Sequence, residues 1–129
     1  MDTSSALADL SEISSQIEAA VVFDSDGGVL GSTVADEARS QRLARGALDL
    51  IAAAGTSSGS NLTQIEASLR EGSVFVVAGE KRGIAAATTP EPTSGLVFYD
   101  LRTCLRSLED AAEAAPAKRS RRKKKAADA

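Results

Sequence analysis

Residues 62–89 read LTQIEASLREGSVFVVAGEKRGIAAATT, three strands joined by two tight turns. Leu62–Arg70 alternates cleanly. Thr63, Ile65, Ala67 and Leu69 point inward, and Gln64, Glu66, Ser68 and Arg70 outward, the pattern of an edge or half-exposed strand. Glu71-Gly72-Ser73 turns the chain into Val74-Phe75-Val76-Val77-Ala78. That run is apolar on both faces, so it belongs in the sheet interior. Gly79-Glu80-Lys81-Arg82-Gly83 makes the second turn and leads to Ile84–Thr89. This last strand is mostly alanine, which lets helices approach closely on both sides. An antiparallel sheet between helical layers is the natural solution, an α/β fold.

The segments upstream fit the same solution. Ile17, Ala19, Val21 and Phe23 alternate with Glu18, Ala20, Val22 and Asp24 as a mostly buried strand. Asp24-Ser25-Asp26-Gly27-Gly28 is a turn, and Val29–Thr33 is the returning strand of that hairpin. Thr33-Val34-Ala35-Asp36 has the form of a capping box and predicts a helix running to about Ala54, with Gly55 as its C-terminal cap. Ala44, Ala47, Leu48, Ile51 and Ala54 make one stripe of that helix. Leu43, Leu50 and Ala53 widen it, with Gly46 beside them. Packing one helix on one sheet needs less, so Leu43, Gly46, Leu50 and Ala53 are candidates for a second contact surface.

Thr3 or Ser4 is placed to cap a first helix carrying Leu7, Leu10 and Ile13. Pro90 and Pro92 stop the sheet, and Ser94 is placed to cap a last helix with Val97, Leu101, Cys104, Leu105 and Leu108 on one face. The order is α-β-β-α-β-β-β-α, with five antiparallel strands sandwiched by helices in residues 1–110. Residues 111–129, rich in Ala and then in Lys/Arg, read as a disordered tail.

The net charge of −3 averages two unlike parts. Residues 117–129 hold seven Lys/Arg and one acid, a balance of +6, which leaves −9 on residues 1–116. The absence of histidine excludes His-based acid–base and nucleophile systems and His-containing metal sites. The single cysteine, Cys104, excludes an intrachain disulfide and multi-Cys metal centres. One reduced thiol, no apolar leader and no run of membrane-spanning length make a cytoplasmic location the expectation. A non-enzymatic protein without metal or cofactor is expected.

The remaining motifs have plain readings beside sharper ones. Asp24-Ser25-Asp26-Gly27-Gly28 opens like a calcium loop, but Gly28 and Val29 stand where a ligand and the turn glycine belong, so a hairpin is preferred. Gly55–Ser60 has the flexibility of a phosphate loop without its Gly-Lys-Ser/Thr ending. Cys104 falls on an apolar stripe and reads as a structural thiol. Tyr99 and Asp100 suit a helix–sheet boundary or a partner surface. Arg39, Arg42 and Arg45 read as a solvated face, with an arginine finger as the sharper alternative. The basic run Lys118, Arg119, Arg121, Arg122, Lys123, Lys124 and Lys125 suits a solubilising tail, a tether to the acidic body, or non-specific contact with nucleic acid or anionic lipid.

Four segments carry a resemblance: Val21-Val22-Phe23-Asp24-Ser25-Asp26-Gly27, the helix Asp36–Ala54, Gly72-Ser73-Val74-Phe75-Val76-Val77, and Gly95-Leu96-Val97-Phe98-Tyr99-Asp100-Leu101-Arg102. In these the chain resembles the bacterial, and particularly the actinobacterial, branch of the Roadblock/dynein-light-chain family over roughly residues 5–108. The resemblance implies a profilin-like sandwich that homodimerises by pairing its middle helices and one edge strand. Leu43, Gly46, Leu50 and Ala53 offer the helix surface, and Gln64, Glu66 and Ser68 the strand. It further implies a non-enzymatic platform or regulator for a small Ras-like GTPase; some bacterial relatives stimulate hydrolysis and others only scaffold. The competing function class is a dimeric adaptor that binds nucleic acid or membrane through the basic tail.

Overall fold

The computed structural model describes residues 2–54, 63–79 and 81–123, with side-chain surroundings through residue 109. Its elements are α1 (Thr3–Ile13), β1 (Ile17–Asp24), β2 (Val29–Ser32), α2 (Glu37–Ala54), β3 (Thr63–Ser68), β4 (Ser73–Ala78), β5 (Arg82–Thr88) and α3 (Ser94–Lys123). The strands form one antiparallel sheet in the order β2-β1-β5-β4-β3. The alanine-rich β5 is therefore the central strand, and β3 is an edge as its alternation predicts.

Strand alternation sorts the core into two layers. Ala20 and Val22 of β1, Phe75 and Val77 of β4, and Ile84 and Ala86 of β5 pack under α1 and α3. Val21, Phe23, Val76 and Ala85 face the other way, against Ala44 and Ala47 of α2. Phe75 meets Phe98 of α3 edge-on, with ring centroids 4.9 Å apart. The β3–β4 turn requires Gly72, where a Cβ would collide with the Thr88 carbonyl oxygen.

Several local expectations change: Leu69, read as inward-pointing, is 60% exposed, and Ser94, read as the cap of α3, is its first helical residue, the Val97 N–H donating to Thr93 O. Asp2, not Thr3 or Ser4, caps α1, its carboxylate accepting the Ser5 N–H at 2.8 Å. Asp36, not Thr33, caps α2, accepting from Ala38 N–H at 3.0 Å. Thr33 serves β1 instead: its Oγ1 accepts from Ala20 N–H, and its own N–H donates to Ala20 O. In both cases the cap is the residue immediately before the first helical one, where a carboxylate reaches the orphan amides of the first turn.

α3 runs to Lys123 and takes in residues 111–123, which the sequence pattern assigns to a disordered tail. Alanine is the strongest helix former, and Ala111, Ala112, Ala114 and Ala115 carry the helix past Leu108, the last buried residue among those described. Gly55–Ser60 and Lys124–Ala129 lie outside the described residues.

Candidate protein–protein interface

The candidate residues of α2 form one stripe on the flank nearest β3. Leu48 leans the other way, over the β1–β2 turn, where a Cβ on Gly27 would come within 2.9 Å of its Cδ1. At 3.6 residues per turn, Leu43 and Leu50 lie about 140–160° around the helix from Leu48. Both are half-buried against the cluster on which Ile65 of β3 also packs. Gly46 and Ala53 are exposed, and a Cβ on Gly46 would meet nothing within 4 Å. Leu43, Gly46, Leu50 and Ala53 thus lead from the core margin out to solvent.

Among the described residues, the neighbouring strand edge is open in backbone terms. Leu69 and Gly72 exchange both main-chain hydrogen bonds, Leu69 N–H to Gly72 O at 2.7 Å and the reverse at 3.4 Å. Antiparallel alternation then pairs Ala67, Ile65 and Thr63 with β4. The N–H and C=O groups of Gln64, Glu66 and Ser68 are directed to the unpaired side. A second strand is the natural complement of such a row.

The side chains of these residues are less free than the sequence pattern implies. Arg102 Nη1 donates to Gln64 Oε1 at 2.8 Å, and Ser94 Oγ donates to Glu66 Oε2 at 2.9 Å. The outward face of β3 is therefore the margin on which α3 rests. Period-two alternation marks a polar face but carries no sign of a helix bordering it.

Arg39, Arg42 and Arg45 are exposed on α2. Tyr99 is exposed and Asp100 half-buried on α3. Cys104 is buried, its thiol donating to the Ala6 carbonyl at 3.7 Å. Burial, reinforced by the Asp9 charge, pushes that thiol up to about 11 from its ordinary 9.0, a structural rather than a reactive state. Asp24 Oδ1 accepts the N–H groups of Asp26 and Gly28, at 3.0 and 2.8 Å, so this oxygen braces its own hairpin. Among the described residues, no three His, Cys, Asp or Glu side chains group as a metal site. Lys118, Arg119, Arg121, Arg122 and Lys123 lie on the C-terminal stretch of α3, while Lys124 and Lys125 fall outside the described residues.

One feature has no counterpart in the sequence pattern. A groove of about 300 Å³ opens between α1 and α3, floored by Ala6, Leu10 and Ile13 and rimmed by Asp9, Glu12 and Asp100. It forms because α1 and α3 pack antiparallel, Gln16 receiving the Thr93 N–H at one end and Ala6 the Cys104 thiol farther along. No single-helix periodicity encodes that juxtaposition.

Solved structures match this arrangement closely. A Roadblock/LC7 domain from Streptomyces avermitilis superposes with a TM-score of 0.77 at 19% identity, covering 88% of this chain and 100% of that one. The fold is that of a Roadblock/LC7 domain. The gliding protein MglB from Thermus thermophilus matches this chain with a TM-score of 0.65 at 17% identity, over 86% of this chain and 88% of that one. LokiProfilin2, solved with rabbit actin, matches at 0.55 and 13% identity, over 81% and 93% of the two chains. The fold is thus profilin-like, as the resemblance implies. No protein-family model matches the sequence, and no curated protein matches it.

Proposed function

We propose that this chain is a non-enzymatic, cytoplasmic homodimer that binds a small Ras-like GTPase and regulates or scaffolds it. The observation that carries the proposal is the continuous surface formed by the α2 flank and the open edge of β3 on a Roadblock fold. Two copies related by a two-fold axis bring β3 against β3, with Gln64, Glu66 and Ser68 supplying the main-chain bonds. The α2 helices then meet over Leu43, Gly46, Leu50 and Ala53, Gly46 permitting close approach. The GTPase rests on the family resemblance and on the scarcity of catalytic groups in a chain without histidine.

Titrating GTP- and GDP-loaded Ras-like GTPases of the source cell with the full chain tests this reading. Binding that depends on the nucleotide supports it. Phosphate-release assays then separate a stimulator from a scaffold. Absence of binding in both nucleotide states overturns the GTPase assignment. The basic run favours a second reading, an adaptor for nucleic acid or anionic membrane, which predicts co-sedimentation with anionic vesicles or a mobility shift that deleting residues 117–129 removes.

A further inference from the structure

The groove between α1 and α3 is built to receive cationic side chains on long apolar stems. Ala6, Leu10 and Ile13 give it an apolar floor, and Ile13 is 64% exposed, an unusual state for an isoleucine beside a core helix. Asp9 and Glu12 stand three residues apart on one face of α1, and Asp100 faces them from α3. Lys and Arg match such a surface, laying their methylenes on the floor while their charged heads reach the carboxylates.

The same chain carries the complementary element. Residues 118–125 are seven-eighths basic, and Lys118 and Arg121 repeat the three-residue spacing of Asp9 and Glu12. The run cannot serve its own groove while α3 is helical. At 1.5 Å per residue, α3 carries Lys118 about 21 Å along its axis beyond Cys104. We propose that the α1–α3 groove binds the Lys/Arg-rich stretch 118–125 of a second copy of this chain. The contact lies away from the α2–β3 surface, so it links copies, or pairs of copies, into larger assemblies that dissolve as ionic strength rises.

The test is a fluorescence-anisotropy titration of a labelled peptide of residues 117–129 with the full chain at low salt. Saturable binding is expected, weakened about ten-fold when Asp9→Lys and Glu12→Lys are combined, because each exposed pair contributes modestly. Asp26→Lys with Glu71→Lys, on the same acidic body but not among the residues that line the groove, should leave binding unchanged. Far-UV circular dichroism confirms that each variant is folded. Equal losses in the two double variants would mean general charge attraction and overturn the proposal. So would absence of peptide binding, whether or not the full chain sediments with anionic vesicles. The titration reads the groove whether or not the α2–β3 surface dimerises, so failure here and failure of the GTPase reading are separable.

Discussion

Asp36 and Gly72 show how single residues hold this fold. Asp36 satisfies orphan amides of α2, so Asp36→Ala should cost about 1 kcal/mol in a denaturant titration. Gly72 sits against the Thr88 carbonyl, and Gly72→Ala should cost on the order of 1–3 kcal/mol because backbone, not a flexible side chain, must give way. Cys104 makes a pH-dependent contribution. Its thiol ionises at about 11 in the folded protein, against an ordinary 9.0. Between those values the unfolded chain loses the proton first, so stability falls as pH rises. The full loss is about 2–3 kcal/mol, with no such effect below pH 9. Comparing the alkaline stability profile with that of Cys104→Ala isolates the effect; parallel profiles would refute it.

At the scale of elements, α2 and β3 make the sharpest predictions. Gly46 is exposed, and the space around it is open within one chain, so Gly46→Ala should stabilise the isolated fold by up to about 1 kcal/mol. A larger residue there should leave the fold intact while blocking close approach of a second α2. The strands were legible because period-two alternation in residues 62–89 distinguishes the edge strand from its buried neighbours. The width of the α2 stripe was legible for a similar reason. The pattern misplaces helix caps where two polar candidates lie within a turn, since it does not say which oxygen reaches the amides. The length of α3 was obscured by its Lys/Arg content, which suggests disorder even where alanine favours helix. The groove between α1 and α3, and the bonds from Arg102 and Ser94 to the β3 margin, were not legible. They join residues up to nearly a hundred positions apart.

For the whole molecule, the fold explains how a chain with only 3% aromatic residues makes a core. Three helices cover both faces of a sheet whose central strand is alanine, so β-branched and aliphatic residues fill two thin layers. What remains outward is an acidic body with an open strand edge on one side and a basic helix extension at one end. The central claim is that the α2–β3 surface is where two copies join. Light scattering on the full chain at micromolar concentration and high salt, with Gly46→Leu in parallel, tests it most directly. The wild-type chain should give twice the 13.2 kDa of a single copy, and folded Gly46→Leu should give 13.2 kDa. A monomeric wild type, or a Gly46→Leu protein that remains dimeric, would contradict the account.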